Sequence, residues 1–393
     1  MPDSMHILFL QFYSSSPAPD LHEMALALRT WGHTVWVATP DAAGDLEWSD
    51  GKQIVAVQRG PRRIPSWVAR IRPLAMVALR FVSLGFMIRV RGFVRQSGAR
   101  IVQLNPPLYA WVVPVFMPRR MYFVLDVRQA GEVGGGGLRG SFKNWKSITS
   151  LRINSRWFYD HACFATEAAA RRVLGERWQR WATVHRVGQH AQFLSYTWNE
   201  QPGEAGDNRL VRFVYIGTLS RTRRLERVFS AVRWLMERRK DFRVDFVGPD
   251  EAQGFYHRLV NEMNLSSVLE LKPPVPYEQV ASVVATYDVA VAYVPPLPDW
   301  QYQPTLKVLE YRALGMPIIA SDNEPNRDVV RDGTNGVLVN DTVESIGHAM
   351  LRFIEDRAFL RHCKQEARLM RRGQTWTDVA KRYEEVVYRR VME

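Results

Sequence analysis

The segment from Pro304 to Gly315 combines several residue types that could do chemistry. It reads PTLKVLEYRALG. Proline favours the first turn of a helix and glycine favours its closing position, so we expect a helix of about three turns that leads into a strand from Pro317. Free amides near Thr305 and Leu306, with the positive end of the helix dipole, would suit a phosphate group.

Two charged residues of this helix could contribute to the same site. Lys307 lies in the first turn, and Glu310 lies about one and a half turns inside. A carboxylate at that depth could accept hydrogen bonds from both hydroxyls of a ribose. Alternatively, Lys307 and Glu310 could form an ordinary salt bridge on a solvated helix face.

A second group of cations follows a glycine turn near the middle of the chain. The sequence YIGTLS, which contains Gly217 and Thr218, is followed by Arg221, Arg223 and Arg224. Cations at the start of a helix oppose its dipole, so they indicate a bound anion unless they are merely solvated. Together the two motifs predict a diphosphate site.

Short apolar runs alternate with helical patterns in both halves of the chain, as in parallel βαβ units. A polar stretch at Tyr196–Arg209 resembles a linker. We expect a first domain at residues 1–200, a second at 201–375, and a C-terminal helix at 376–393 that packs on the first. The predicted strands are His6–Phe12, Thr34–Thr39, Ile54–Val57, Arg100–Leu104, Met121–Val127, Ala162–Ala165, Thr183–Val187, Leu210–Ile216, Phe242–Val247, Val268–Leu271, Asp288–Val294, Pro317–Ala320 and Gly336–Val339.

The pattern P-x-x-K-x-x-E-Y-x-A-x-G-x-P-I-I-A resembles the donor-binding helix of GT-B glycosyltransferases of group 1, family GT4. Blocks similar to the family's others occur in order, at the Gly217 turn, at FRVDFVGPD with Gly248, at Val275–Pro295 and at Asn326–Val339. The resemblance implies an α/β fold of two doubly wound Rossmann-like domains facing across a cleft. It also implies that a sugar moves from a nucleotide-sugar donor to an acceptor with retained anomeric configuration.

The resemblance also assigns roles to individual residues. It implies a catalytic contribution from Asp126, Arg223 and Glu310, and an acceptor side that includes Ser15, Ser16 and Arg128. The donor-binding residues would be Gly217, Thr218, Arg223, Arg224, Gly248, Thr305, Leu306, Lys307 and Glu310. A strand-terminal salt bridge is the alternative for Asp126 and Arg128, and we interpret His190 as structural. Gly134–Gly137 is either a mobile loop or part of the acceptor side.

Departures from the family pattern concern the sugar rather than the nucleotide. Many relatives carry a second glutamate eight positions before Glu310, where this chain has Tyr302, and Thr218 replaces the usual basic residue after the turn glycine. The sugar is therefore unassigned, and the base would be uracil or guanine. Because no Asp-x-Asp motif occurs, we expect neither a metal nor a cofactor. The resemblance also implies that the donor phosphate accepts the acceptor's proton.

The positive charge is concentrated in one block. The chain carries a formal net charge of +13, and residues 51–125 contain thirteen Lys and Arg residues but no Asp or Glu. Apolar residues between these arginines favour an anionic membrane surface as partner, and therefore a lipid-linked saccharide as acceptor. The alternative is a helix with one face in the core and solvated arginines.

Other functions explain fewer of these features. A basic nucleic-acid-binding protein is disfavoured because no known binding pattern occurs, so we expect no nucleic acid as partner. An epimerase or phosphorylase of the same architecture leaves the basic block unexplained, whereas a degenerate scaffold is compatible with Tyr302. Two distant cysteines and no basic flank before the first apolar run indicate a cytoplasmic protein. With the basic block at residues 51–125, we expect it to be peripheral on the inner face of the cell membrane.

Overall fold

The computed structural model describes residues 4–10, 19–38, 46–47, 53–54, 87–88, 90–105, 110–118, 120–128, 138–198, 210–297, 302 and 305–392. The chain forms two compact units: the first extends to Gly188 and includes the C-terminal segment from Trp376, and the second spans Gln189–Thr375. The second unit thus begins earlier than the residue 201 expected from the linker pattern. The chain joins the second unit at Gln189, because the Gln189 amide donates to the Gln374 carbonyl of that unit at 2.8 Å.

The first unit is built on a six-stranded parallel sheet with the order β2-β1-β5-β6-β7-β8. Its strands are β1 His6–Leu10, β2 Thr34–Ala38, β5 Ile101–Leu104, β6 Tyr122–Val127, β7 His161–Phe164 and β8 Ala182–Val184. Of the predicted strand Ile54–Val57, only Ile54 is among the described residues. It lies in β4 (Gln53–Ile54), which forms a separate antiparallel pair with β3 (Leu46–Glu47).

The helices of the first unit cover a sheet whose strands are almost entirely apolar, as expected when both faces are buried. They are α1 Pro19–Thr30, α2 Val112–Phe116, α3 Leu138–Ile153 with the π-helix Asn154–Phe158, and α4 Glu167–Leu174. Residues 87–88 and 90–97 are also helical. Within the described ranges, no helix is both long enough and apolar enough to cross a bilayer.

The second unit repeats the architecture with the order β11-β10-β9-β12-β13-β14, all parallel. Its strands are β9 Val211–Ile216, β10 Phe242–Val247, β11 Leu269–Lys272, β12 Val289–Ala292, β13 Ile318–Ser321 and β14 Gly336–Val339. Its helices are α5 Ala191–Ser195, α6 Glu226–Met236, α7 Phe255–Glu262, α8 Val280–Val284, α9 Leu306–Leu314, α10 Glu324–Arg327, α11 Val343–Glu355 and α12 Arg357–Leu369. This strand order is the doubly wound one of dinucleotide-binding proteins, so the predicted α/β fold class is confirmed.

The C-terminal segment packs in the core of the first unit. It consists of α13 (Trp376–Tyr383), a π-helix (Glu384–Tyr388) and α14 (Arg389–Met392). A regular helical stripe predicts Val386 as a buried position, but its side chain is 37% exposed, whereas Tyr388 is fully buried. The wider π turn explains the difference, because it rotates the following residues relative to a 3.6-residue period.

Candidate functional site

The sheet order of the second unit locates a crevice. In this sheet β9 lies between β10 and β12. The chain adds β10 and β11 on one side of β9 and then β12, β13 and β14 on the other side, so the strand order reverses at β9. Ligands of doubly wound proteins bind at the carboxyl ends of the strands at such a switch point. Gly217 directly follows β9, and α9 follows β12 along the chain. The residues predicted from the sequence therefore converge at the position where the fold favours a ligand.

Two glycines at this crevice allow the backbone to approach neighbouring groups closely. Gly217 and Gly248 have φ angles of 138° and 155°, which side chains with a Cβ rarely adopt. A Cβ on Gly248 would collide with the carbonyl oxygen of Gly217, and a Cβ on Gly217 would lie 3.2 Å from Nζ of Lys307. Both positions therefore require glycine, and the turn after β9 comes directly against Lys307.

Helix α9 begins at Leu306 with Thr305 as its N-cap and ends at Gly315, which has φ 82°. The predicted closing glycine therefore lies in the expected conformation. The Thr305 hydroxyl makes no capping hydrogen bond and has no hydrogen-bond partner among the described residues. The first-turn amides of a helix lack intrahelical partners, so this N-terminus offers donors to a ligand. Pro304 lies outside the described residues.

Hydrogen bonds fix the second half of helix α9. Tyr311 accepts a hydrogen bond from the Ile216 amide at 3.0 Å, which ties α9 to the end of β9. At the C-terminal end, the Leu314 carbonyl accepts from Trp198 Nε1 at 2.8 Å, and the Ala313 carbonyl accepts from Arg371 Nε at 3.0 Å. The first turn of α9 is consequently held in place without using its own site residues.

Lys307 is buried, and its ammonium group has no hydrogen bond within the described structure. Its Nζ lies 3.5 Å from the centroid of the Tyr215 ring. Burial and the positive charge of Arg223 lower the pKa of Lys307 well below its ordinary value, although Glu310 opposes them. A buried amine without a hydrogen-bond partner is costly, and a bound anion would remove that cost.

Glu310 lies on the same helix and is also buried. Its Oε1 accepts a hydrogen bond of 2.6 Å from the Tyr277 hydroxyl. Burial raises the pKa of Glu310 to about 7, although that hydrogen bond and the charge of Lys307 act in the opposite direction. The solvated salt bridge considered above is therefore wrong for this pair, since neither side chain is exposed.

The three arginines after the turn differ in their surroundings. Arg221 and Arg223 bound a short 3₁₀ turn, and Arg224 follows it in the left-handed region with φ 48°. The Arg221 guanidinium packs over the Phe255 ring, 3.6 Å from its centroid. The partly buried Arg223 is the one whose charge acts on Lys307 and Tyr215. Arg223 therefore belongs to the cluster, whereas Arg221 and Arg224 are exposed.

Asp126 and Arg128 lie at the carboxyl end of β6 in the first unit. The Asp126 carboxylate accepts from Gln103 Nε2, Arg128 Nε and Nη2, and the Tyr383 hydroxyl, each at 3.0 Å. Burial raises the pKa of Asp126 to about 6, against the effect of the hydrogen bonds from Tyr383 and Gln103. This arrangement matches the salt-bridge alternative, and the predicted catalytic role of Asp126 stays a prediction.

The other predicted site residues are placed as follows. His190 is the N-cap of α5, where its Nδ1 accepts from the Gln192 amide at 3.2 Å, and its ring meets Tyr277 edge-on. Thr218 is partly exposed beside Gly217, and Leu306 is 39% exposed at the start of α9. Ser15, Ser16, Gly134–Gly137 and most of the basic block at 51–125 lie outside the described residues.

Two tyrosines of the site do not follow from sequence reasoning. Tyr215 supplies the ring under Lys307, and its hydroxyl has no hydrogen-bond partner among the described residues. Tyr277 lies 33 residues before Glu310, in a 3₁₀ turn before α8. A tyrosine in a strand and another in a turn carry no signal of such contacts, because the contacts arise only when the sheet assembles.

Comparisons with known proteins agree with this geometry. Residues 197–370 match the family model of glycosyl transferases group 1. Sucrose-phosphate synthase from Thermosynechococcus elongatus is similar in structure, with a TM-score of 0.71 at 15% identity, covering 98% of this chain and 99% of that chain. No curated protein sequence matches the chain.

Further solved structures share the fold. HepE from Anabaena, solved in complex with UDP and glucose, has a TM-score of 0.70 at 14% identity over 98% of this chain and 99% of its own. A glycosyltransferase from Rickettsia africae has a TM-score of 0.70 at 13% identity over 100% and 99%. The chain has the GT-B glycosyltransferase fold, and its residues 197–370 belong to the group 1 glycosyltransferases.

Proposed function

We propose that this chain is a retaining glycosyltransferase of the GT4 type, which moves a sugar from a UDP- or GDP-linked donor to a saccharide acceptor. The observation that carries the proposal is the buried ammonium of Lys307, which has no hydrogen bond within the described structure and lies 3.5 Å from the Tyr215 ring centroid. A diphosphate at this position would give Lys307 a charged partner and give the first amides of α9 an acceptor.

The neighbouring residues take complementary roles in this proposal. Arg223 binds the diphosphate with Lys307, and both cations stabilise the negative charge that develops on the leaving nucleotide. Glu310 accepts the ribose hydroxyls, while Tyr277 holds its carboxylate in place at 2.6 Å. The donor phosphate accepts the proton of the acceptor hydroxyl, so the reaction requires neither a protein base nor a metal. Activity that persists in a chelator is the expected result.

The acceptor in this proposal is a lipid-linked saccharide at the cytoplasmic face of the cell membrane, as in the synthesis of polysaccharides or glycolipids. The support is the charge pattern of the sequence, because the thirteen cations of residues 51–125 occur without a single acid. Such a segment is attracted to anionic lipid by about 1 kcal/mol for each cation near the surface.

A thermal-shift screen with UDP, GDP and ADP tests the donor site. One nucleotide should raise the melting temperature, because a ligand that binds only the folded state stabilises it. Lys307→Met should remove the shift, whereas Lys240→Met, at an exposed lysine of the same unit, should leave it unchanged. The absence of a shift with all three nucleotides would refute the proposal, whereas binding without donor turnover would favour the degenerate scaffold.

A further inference from the structure

Large apolar side chains are exposed on one surface of the first unit. They lie on α3 and on the π-helix that follows it: Phe142 is 64% exposed, Trp145 61%, Ile153 44% and Trp157 81%. We call this the α3 surface, residues 142–157. The adjacent α2 region extends it with Trp111 and Val115, which are 45% and 57% exposed. The Trp111 ring lies 6.3 Å from that of Phe158, so the two regions are contiguous.

The polarity of this helical segment is reversed relative to a helix that packs on a core. Phe142, Trp145 and Ile153 are spaced i, i+3 and i+11, which places them on one helical face. The side turned towards the protein includes Asn154 and Ser155, which are 1% and 2% exposed. Burying polar groups while exposing aromatic rings opposes the hydrophobic effect, so the exposed face indicates a binding function.

The charged residues of this segment have one sign. Residues 133–159 contain five Lys and Arg residues and no Asp or Glu. Arg152 and Arg156 donate to the Val173 and Leu174 carbonyls at the end of α4. Lys143 and Lys146 are exposed, and neither forms an ion pair with any other described residue. Two exposed lysines without an ion pair among the described residues therefore adjoin Phe142 and Trp145 in the sequence.

We propose that the α3 surface binds an anionic lipid bilayer, with its aromatic rings in the interface and its lysines on the headgroups. This inference rests on the membrane location in the proposed function, and it names a surface outside residues 51–125 for that contact. Exposed tryptophan and phenylalanine beside lysine are characteristic of segments that lie in a membrane interface.

The observations favour a bilayer over other partners. A second copy of the chain would place the same cations opposite one another in a symmetric interface, which is repulsive. A single-stranded nucleic acid would need open ring faces, but Phe142 and Trp145 stack on each other with centroids 5.8 Å apart. The aliphatic side chains of Ile153 and Val115 match acyl chains, not bases.

Vesicle sedimentation tests the inference with the full chain. Wild-type protein should bind phosphatidylcholine vesicles that contain phosphatidylglycerol and should bind pure phosphatidylcholine weakly. The double variant Phe142→Ser/Trp145→Ser should lose at least about tenfold in partition coefficient, because two aromatic side chains no longer leave water. Leu369→Ser is the matched control, since Leu369 is 72% exposed on α12 of the second unit, and it should bind like wild type.

A charge variant gives a second, independent readout. Lys143→Gln/Lys146→Gln should weaken binding about fivefold for each lysine and reduce its dependence on salt. Equal binding of wild type and both double variants would overturn the inference, as would equal binding to neutral and anionic vesicles. The nucleotide thermal shift, measured on the same samples, separates the two proposals. A retained shift with no vesicle binding rejects the α3 surface and the membrane location but not the donor site, whereas vesicle binding with no shift rejects the donor site alone.

Discussion

Asp126 in the first unit and Glu310 in the second are both buried carboxylates whose pKa is raised by burial, to about 6 and about 7. Their surroundings differ. Asp126 accepts four hydrogen bonds from three side chains, and one of these, Arg128, is also its ion-pair partner. Glu310 accepts one, from Tyr277, beside an ammonium group without a hydrogen bond in the described structure.

The comparison separates two uses of a buried charge. A carboxylate whose acceptors are all occupied by its own unit can stabilise a fold, but it has little capacity left for a ligand. A carboxylate and an amine that are buried with few partners cost stability, and such sites are retained where a ligand completes them. Buried carboxylates thus occur in two different settings here, and the variants below test whether Asp126 stabilises the fold and Glu310 binds the nucleotide.

The largest expected effect is on stability at Asp126. Asp126→Ala should lower the free energy of unfolding of the first unit by about 4 kcal/mol, because it breaks the ion pair between the buried Asp126 carboxylate and Arg128. Hydrogen exchange in β6 measures this change. Nucleotide affinity should stay at the wild-type value. A folded variant that has lost nucleotide binding or turnover would instead support the catalytic role predicted from the sequence.

Glu310→Ala should weaken nucleotide binding and have a smaller effect on stability, in contrast to Asp126→Ala. We expect about hundredfold weaker nucleotide binding, from the loss of two hydrogen bonds between ribose and a carboxylate. The melting temperature without ligand should fall less than in Asp126→Ala, because the Glu310 carboxylate accepts one hydrogen bond and the Asp126 carboxylate accepts four. Isothermal titration calorimetry measures the affinity. Unchanged affinity would contradict the ribose assignment, and Leu210→Ala, at an exposed position of the same unit outside the site, serves as control.

The smallest effect is a pH dependence of nucleotide affinity. A diphosphate favours the charged form of Lys307, so binding raises the pKa of Lys307 again. Affinity should fall as pH rises through the lowered pKa of the free protein, by at most about tenfold for each pH unit. The Glu310 carboxylate should add the opposite trend below about pH 7, where it is protonated.

Variants separate the two limbs of this profile. Lys307→Met should remove the alkaline limb, and Glu310→Gln should remove the acid limb, both followed as dissociation constants across the pH range. An alkaline limb that persists in Lys307→Met would show that another group controls the affinity.

Much of this architecture can be predicted from the sequence, for identifiable reasons. Strands buried on both faces appear as short apolar runs, so the predicted Phe242–Val247 and Gly336–Val339 agree with β10 and β14 in both bounds. The site helix is recognisable because Lys307, Glu310 and Gly315 lie within one local pattern. Local sequence patterns therefore predict those elements whose defining residues are close together in the chain.

The rest depends on distant contacts. Tyr383 donates a hydrogen bond to Asp126 across 257 positions, and no local pattern of the sequence predicts this contact. Tyr277 reaches Glu310 across 33 positions. The exposure of Val386 depends on a π turn, which a regular helical period does not predict. The exposed Phe142 and Trp145 resemble core residues in the sequence and differ only in where the helix places them.

The C-terminal segment has a consequence for the order of folding. Trp376, Tyr383 and Val387 belong to the same buried cluster as Ile7 and Phe9 of β1. A ribosome delivers β1 before the second unit and the segment from Trp376 after it. The second unit can fold while the chain is still growing, whereas the first keeps part of its apolar core uncovered until residues 376–388 have emerged. The first unit is thus the one that needs protection from aggregation during its own production.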